Sequence, residues 1–178
     1  KIEYFSKIQV LNEKDIDKIK LSRGDHKVSE DYAALAEKGI SFLSIEDSEY
    51  PEKLKNIYEP PFGIFYRGKL PREDRVNIAV VGARNCSEYG REMAKYFSRE
   101  LAKAGAGIIS GLAAGIDGAA HEGALLAKGD TYGVLGCGVD ICYPIENFKL
   151  YQEIGMKGGI LSEYGPMTDP KAWHFPMR

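Results

Sequence analysis

Arg84 carries the most pointed chemistry in this 178-residue chain. It closes the run Val76-Asn-Ile-Ala-Val-Val-Gly82-Ala83-Arg84, where a short β-branched stretch stops at glycine and small residues. At a strand end, the planar fork of a guanidinium meets phosphate oxygens two at a time. Ser87 follows three residues on, placed to cap a helix whose first N–H groups also favour anions. The same residues read equally well as a surface arginine beside a plain helix cap.

Three further turns repeat the pattern. Ser110-Gly111-Leu-Ala-Ala-Gly115-Ile-Asp117 is not the G-x-G-x-x-G of dinucleotide enzymes, and it follows the second strand of the series. A standard NAD domain is therefore disfavoured. Asp117 and His121 lie four apart and share a helix face, which fits a base with an orienting carboxylate. A capping Asp and a structural His are the commoner meaning of that spacing. Gly136-Cys137-Gly138-Val-Asp140, leading to Tyr143-Pro144 and Asn147, lets a backbone or ligand approach closely, or is simple turn chemistry. Last comes Ser162-Glu163-Tyr164-Gly165-Pro166, then Lys171-Ala-Trp173-His174-Phe175-Pro176-Met-Arg178. Cations that track phosphates, interleaved with rings that stack on bases, suit a single-stranded nucleic acid. Core or edge packing is the competing use of such a cluster. Phe175 precedes Pro176, which biases its backbone toward an extended form.

These turns must be held by strands and helices that alternate. Helices are expected from Ser87 to Ala104, from about Asp117 to Gly129, and from Phe148 to Met156 behind Asn147. In the first, Met93, Phe97 and Leu101 recur every four residues and mark the expected buried face. Ile160-Leu-Ser-Glu-Tyr164 reads as the fourth buried strand. Such alternation implies right-handed crossovers and a parallel sheet, with ligands at the carboxyl ends of its strands. Upstream, Ile40–Ile45 alternates as a strand, and the proline-flanked run Phe62–Gly68 reads as an edge strand. Residues before Gly39 look helical, with a weak stripe at Ile16, Ile19 and Leu21 and a second helix capped by Ser29.

Bulk properties narrow the classes. A charged fraction of 28% and hydrophobic fraction of 44% are ordinary for a globular protein. A net charge of −2 argues against indiscriminate polyanion binding yet permits a local basic groove. No apolar run nears the roughly 20 residues that cross a bilayer, and the opening residues Lys1-Ile-Glu-Tyr-Phe-Ser-Lys show no signal-peptide pattern. Three cysteines without a Cys-x-x-Cys spacing make a disulfide framework or zinc site unexpected and point to the cytoplasm. The absence of an initiator Met suggests a trimmed fragment.

Taken together, these segments resemble the DprA/Smf family of bacterial DNA-processing proteins. The resemblance runs through Tyr50-Pro51, Pro60-Pro61, Arg67-Gly68, Val81–Arg84 and Tyr89-Gly90. It continues through Ser110–Asp117, Ala120-His121, Leu135–Gly138, Tyr143-Pro144 and Asn147, then Leu161–Tyr164 and Phe175–Arg178. The serine-glycine-leucine-alanine string with its neighbours is its most specific part.

The resemblance implies an α/β, Rossmann-like, mostly parallel sheet with flanking helices over residues 40–178, incomplete at its C-terminus. A partial, SAM-like helical domain over residues 1–39 would precede it. It further implies single-stranded DNA binding in natural transformation, help in loading RecA recombinase, and homodimerisation of the full-length protein. No catalytic residue, metal or cofactor is expected. The nucleic-acid contacts would come from Gly82, Arg84, Ser87, Ser110, Gly111, Gly115, Lys171, Phe175 and Arg178, with Arg84 on phosphate and Gly111 a close backbone approach. The alternative is a nucleotide-processing enzyme or nucleotide sensor like the lysine-decarboxylase-like phosphoribohydrolases. Their proline-glycine-glycine-x-glycine-threonine string is missing, and Glu163 is the lone carboxylate at a strand end nearby.

Overall fold

A computed structural model of the chain describes residues 27–177 together with Lys14, Asp17, Lys18 and Leu21; the side chains of residues 27–29 and 176–177 are outside that description. The stripe expected at Ile16 and Ile19, the Ser29 cap and Arg178 therefore fall outside the described residues. The chain divides into two units, Lys1–Lys38 and Gly39–Arg178. Within the first, helix α1 spans Lys27–Glu37 and exposes half of Tyr32.

The second unit is built on one six-stranded sheet. Its elements in chain order are β1 (Ser41–Ser44), α2 (Glu52–Lys55), β2 (Gly63–Gly68), β3 (Asn77–Ala79), α3 (Glu88–Lys103), β4 (Gly107–Ser110) and α4 (Ile116–Leu126). They continue with β5 (Thr131–Val134), a 3-10 turn at Ile145–Asn147, α5 (Phe148–Lys157), β6 (Gly159–Ser162) and α6 (His174–Met177). The strand order is β1-β2-β6-β5-β4-β3. Strands β3 to β6 are parallel, and β2 and β1 add antiparallel beyond β6.

The edge-strand expectation for residues 62–68 is corrected here. β2 is interior, pairing Tyr66 with Ser41 on one side and with Leu161 on the other. Pro60 and Pro61 precede the strand, so they remove no ladder donor from it.

Four parallel strands laid down in one direction place their crossover helices on one face. The period-2 alternation of strand side chains agrees. Ile108 packs with Ala102, Ala120 and Ala124 under α3 and α4. The next residue, Ile109, turns to the opposite face with Tyr132, Leu161 and Ile64. That face is closed by Tyr50, Leu54 and Leu70 from the connecting segments.

The expected buried face of α3 is also shifted. Phe97 is 57% exposed, and the helix buries Ala94, Ser98 and Ala102 instead. The cause is close packing: a Cβ on Gly123 of α4 would strike the Lys95 carbonyl. Only small side chains fit between helices at that distance. Ser87 does cap α3, accepting from the Gly90 N–H at 3.1 Å.

His121 sits fully buried on α4, its Nδ1 2.7 Å from the Thr131 hydroxyl, while Nε2 has no partner. Burial pushes its pKa from 6.5 down to about 3. Between those values the unfolded chain binds a proton that the folded chain refuses. This contribution to stability is thus complete above about pH 6.5 and is lost as pH falls, by up to about 1.4 kcal/mol per pH unit. Urea titrations at about pH 7.5 and about pH 5 should show the loss in the wild type. His121→Gln, though less stable overall, should show a flatter dependence; an equal slope would assign the effect elsewhere.

Candidate nucleic-acid interface

The loops that leave the four parallel strands meet at the carboxyl edge of the sheet. Arg84 comes from the loop after β3, and Gly111, Ala113 and Ala114 from the loop after β4. Tyr143 and Pro144 follow β5, and Phe175 follows β6. Together they line a cavity of about 120 Å³. Pockets that engulf a whole small ligand run from roughly 300 to 1,000 Å³. This one has room for a phosphate-sized group of something larger.

Its charged member is Arg84, which is exposed and whose guanidinium carbon lies 4.8 Å from the centre of the Phe175 ring. The remaining lining is apolar or backbone. A cation against low-dielectric walls attracts an anion more strongly than the same cation in open water.

Around the start of α4, three backbone N–H groups have partners within the protein. Gly111 N–H donates to the Asp117 carboxylate at 3.1 Å. Ile116 N–H donates to the Ala83 carbonyl and Gly118 N–H to the Ala113 carbonyl. The start of α4 therefore spends these donors on its neighbouring loops. Asp117, 4% exposed in its first turn, compensates the helix dipole. It is thus engaged with Gly111, while His121 is sealed in the core, so the pair does not face the cavity as a base and its orienter.

Other expected residues brace the site from behind. Ser110 is buried and donates to the Val80 carbonyl at 2.6 Å, tying the end of β4 to the end of β3. Gly115 has φ 80° and ψ −124°, a conformation side chains avoid. A Cβ there would strike the Ala83 carbonyl and come within 2.5 Å of the Arg84 carbonyl. Gly82 packs on Ile116 in the same way. Ser87 is occupied as the cap of α3, and Lys171 is exposed, its amine 6.0 Å from the Trp173 ring, outside the cavity lining. Of the expected set, the cavity gathers Arg84, Gly111 and Phe175.

Sequence reasoning missed Ala113, Ala114, Tyr143 and Pro144 as lining. It also read Asn147 as a helix cap. Asn147 makes no such cap; its Nδ2 donates to the Leu112 and Ala113 carbonyls at 2.9 and 3.1 Å. That fastens the loop after β4 to the start of α5. The extended form expected at Phe175 is corrected as well, since His174–Met177 is a short helix. Pro176 is tolerated there because the first N–H groups of a helix have no intrahelical partner. His174, 2% exposed, anchors that turn through Nδ1, 2.9 Å from the Gly136 carbonyl, and stacks on Tyr164 at 4.0 Å.

Among the described residues, no three His, Cys, Asp or Glu side chains are placed to hold a metal ion. No helix among them is long and apolar enough to cross a membrane. All three cysteines are free.

An open α/β sheet with an arginine-bearing cleft across the carboxyl ends of four neighbouring strands defines a Rossmann-like protein. Residues 41–178 match the family described as DNA recombination-mediator protein A. The chain belongs to that family, whose members carry the names DprA and Smf. It is 40% identical over 147 residues to DNA processing protein DprA of Bacillus subtilis, covering 82% of this chain and 50% of that protein. It is 43% identical over 136 residues to DprA of Streptococcus pneumoniae, covering 76% and 48%. The chain thus spans about half the length of these curated relatives. The X-ray structure of the Streptococcus pneumoniae protein superposes with a TM-score of 0.74 at 40% identity, over 82% of this chain and 52% of that one. A Helicobacter pylori DNA processing protein A structure, described for its unique single-stranded DNA binding mode, gives 0.68 at 34% identity, over 76% and 60%.

Gly115→Ala should test the brace directly. Strain at φ 80° and collision with two carbonyls predict a stability loss of about 1–3 kcal/mol. Chemical denaturation reads it, and an unchanged midpoint would show that the two loops can part at no cost.

Proposed function

We propose that this chain is a non-catalytic module that binds single-stranded DNA through its phosphate backbone. The observation that carries the reading is Arg84, a cation held over Phe175 in a cavity sized for one phosphate group. Membership of the recombination-mediator family and likeness to the Helicobacter pylori structure support it. A site that takes one small anion, and leaves most of its ligand outside, suits a polymer better than an isolated nucleotide. Glu163 is exposed at the end of β6 and does not line the cavity. With Asp117 and His121 engaged elsewhere, no carboxylate or imidazole among the described lining residues is poised for base removal.

The proposal extends to the biological setting. The bound strand is DNA entering the cell in natural transformation, RecA recombinase is the protein that receives it, and the longer protein works as a homodimer in the cytoplasm.

Single-stranded DNA should bind more tightly than duplex of equal length in a salt titration, since a flexible strand can bring its backbone into a narrow cleft. Arg84→Ala should weaken binding to all sequences alike and lower the log–log salt slope by about 0.7, one single-strand phosphate contact. Equal affinity for duplex, or a slope untouched by the substitution, would defeat the reading. Nucleoside monophosphates incubated with the protein should release no free base by chromatography; turnover abolished by Glu163→Gln would replace the binding module with an enzyme.

A further inference from the structure

Asp140 lies in the turn after β5, three residues before Tyr143 of the cleft wall. On charge alone, a carboxylate there opposes the approach of an anion. We infer that Asp140 is instead a positioning residue for DNA binding, its carboxylate fastening the segment 163–173 that leads from β6 to α6. The inference rests on the single-stranded DNA reading of the cleft.

Three observations lead to it. First, the carboxylate holds a backbone donor of that segment with both oxygens. The Met167 N–H donates to Asp140 at 2.9 Å from Oδ1 and 3.2 Å from Oδ2. Among the described residues no lysine or arginine forms an ion pair with Asp140. Second, the two turns touch backbone to backbone. Gly138 N–H donates to the Thr168 carbonyl at 2.9 Å. A Cβ on Gly138 would come within 2.9 Å of both the Gly165 carbonyl oxygen and the Met167 nitrogen. Third, Met167 has a φ of 63°, which residues other than glycine rarely adopt. Its side chain is 74% exposed, so packing does not account for that conformation. What the conformation secures is the contact with the turn after β5.

The physical gain is preorganisation. Segment 163–173 has no helix or strand of its own, and it exposes Asp169, Lys171, Ala172 and Trp173. Ordering such a segment when a ligand arrives costs entropy. A tie made beforehand removes part of that cost from the binding step.

The test uses the 178-residue chain. Asp140→Ala removes the acceptor, whereas Asp140→Asn keeps an amide oxygen for the Met167 N–H. Both variants and the wild type are titrated with an oligothymidylate at several salt concentrations. They are also digested with trypsin, and cleavage after Lys171 is followed by mass spectrometry. Asp140→Ala should bind about three- to ten-fold more weakly, although it has lost a negative charge. Its log–log salt slope should keep the wild-type value, because no phosphate contact is removed. Its Lys171–Ala172 bond should be cut faster, and Asp140→Asn should restore both affinity and resistance to trypsin. Unchanged or tighter binding by Asp140→Ala, beside a wild type that binds, overturns the inference and leaves the DNA reading intact. An asparagine variant as weak as the alanine one overturns it too, since the charge and not the acceptor would then be at work. Failure of the wild type to bind brings down both together. Should Asp140→Ala not fold, hydrogen exchange of the wild type decides. The Met167 amide should exchange more slowly than that of exposed Ala172, and equal rates after correction for sequence overturn the tie.

Discussion

The site depends on two loops touching backbone to backbone. The turn after β3 lies directly on the turn after β4, and Gly115 is the residue that permits it. Any side chain at that point would push the Ala83 and Arg84 carbonyls away, and Arg84 would leave the cavity with them. Around this contact the other constraints are arranged. Ser110 binds the strand ends, Asp117 draws in Gly111, and Asn147 holds the loop from the far side. Each is a hydrogen bond to a backbone group of the loops, and a buried backbone group left unpaired costs about 1–3 kcal/mol. The conformation of the loops is thereby over-determined, and at Gly115 it is one that only a glycine adopts without strain.

This arrangement separates two jobs that the sequence presents together. Glycines, Ser110 and Asp117 build the shape, and Arg84 with Phe175 gives the cavity its cationic and aromatic surface. A helix start usually offers its N–H groups to anions. Here the start of α4 gives Ile116 and Gly118 N–H to neighbouring carbonyls, and a carboxylate stands in its first turn. An anion in the cleft therefore meets a side-chain cation more than a helix dipole.

Much of the fold was legible in the sequence, because β-branched runs ending in glycine have few other uses. The parallel strands, three crossover helices and the Ser87 cap were read from pattern and spacing. Arg84, Gly111 and Phe175 were read as site residues, and the cavity contains them. What escaped has physical causes. The buried stripe of α3 consists of Ala94, Ser98 and Ala102, too small and too polar to outweigh Met93, Phe97 and Leu101 in a periodicity count. Prolines beside β2 suggested an edge, but proline weakens a ladder only from within the strand. Ala113 and Ala114 have no signature, since a small residue becomes a wall only when its neighbours are known. Pro176 biased the reading of Phe175 toward extension, and only the position of the short helix turns reveals that its missing N–H is harmless.

The order of strands has a consequence for assembly. From β3 to β6, each strand lies beside the one made just before it, so the parallel part of the sheet needs no distant segment to fill a gap. Contacts of short sequence separation cost less loop closure than distant ones. Three walls of the cleft belong to loops after β3, β4 and β5, and the fourth, Phe175, arrives only after β6. In a chain emerging from its N-terminus, the arginine is in place before the ring that lies against it. The cleft is finished by its last residue, as a hinge is finished by its pin.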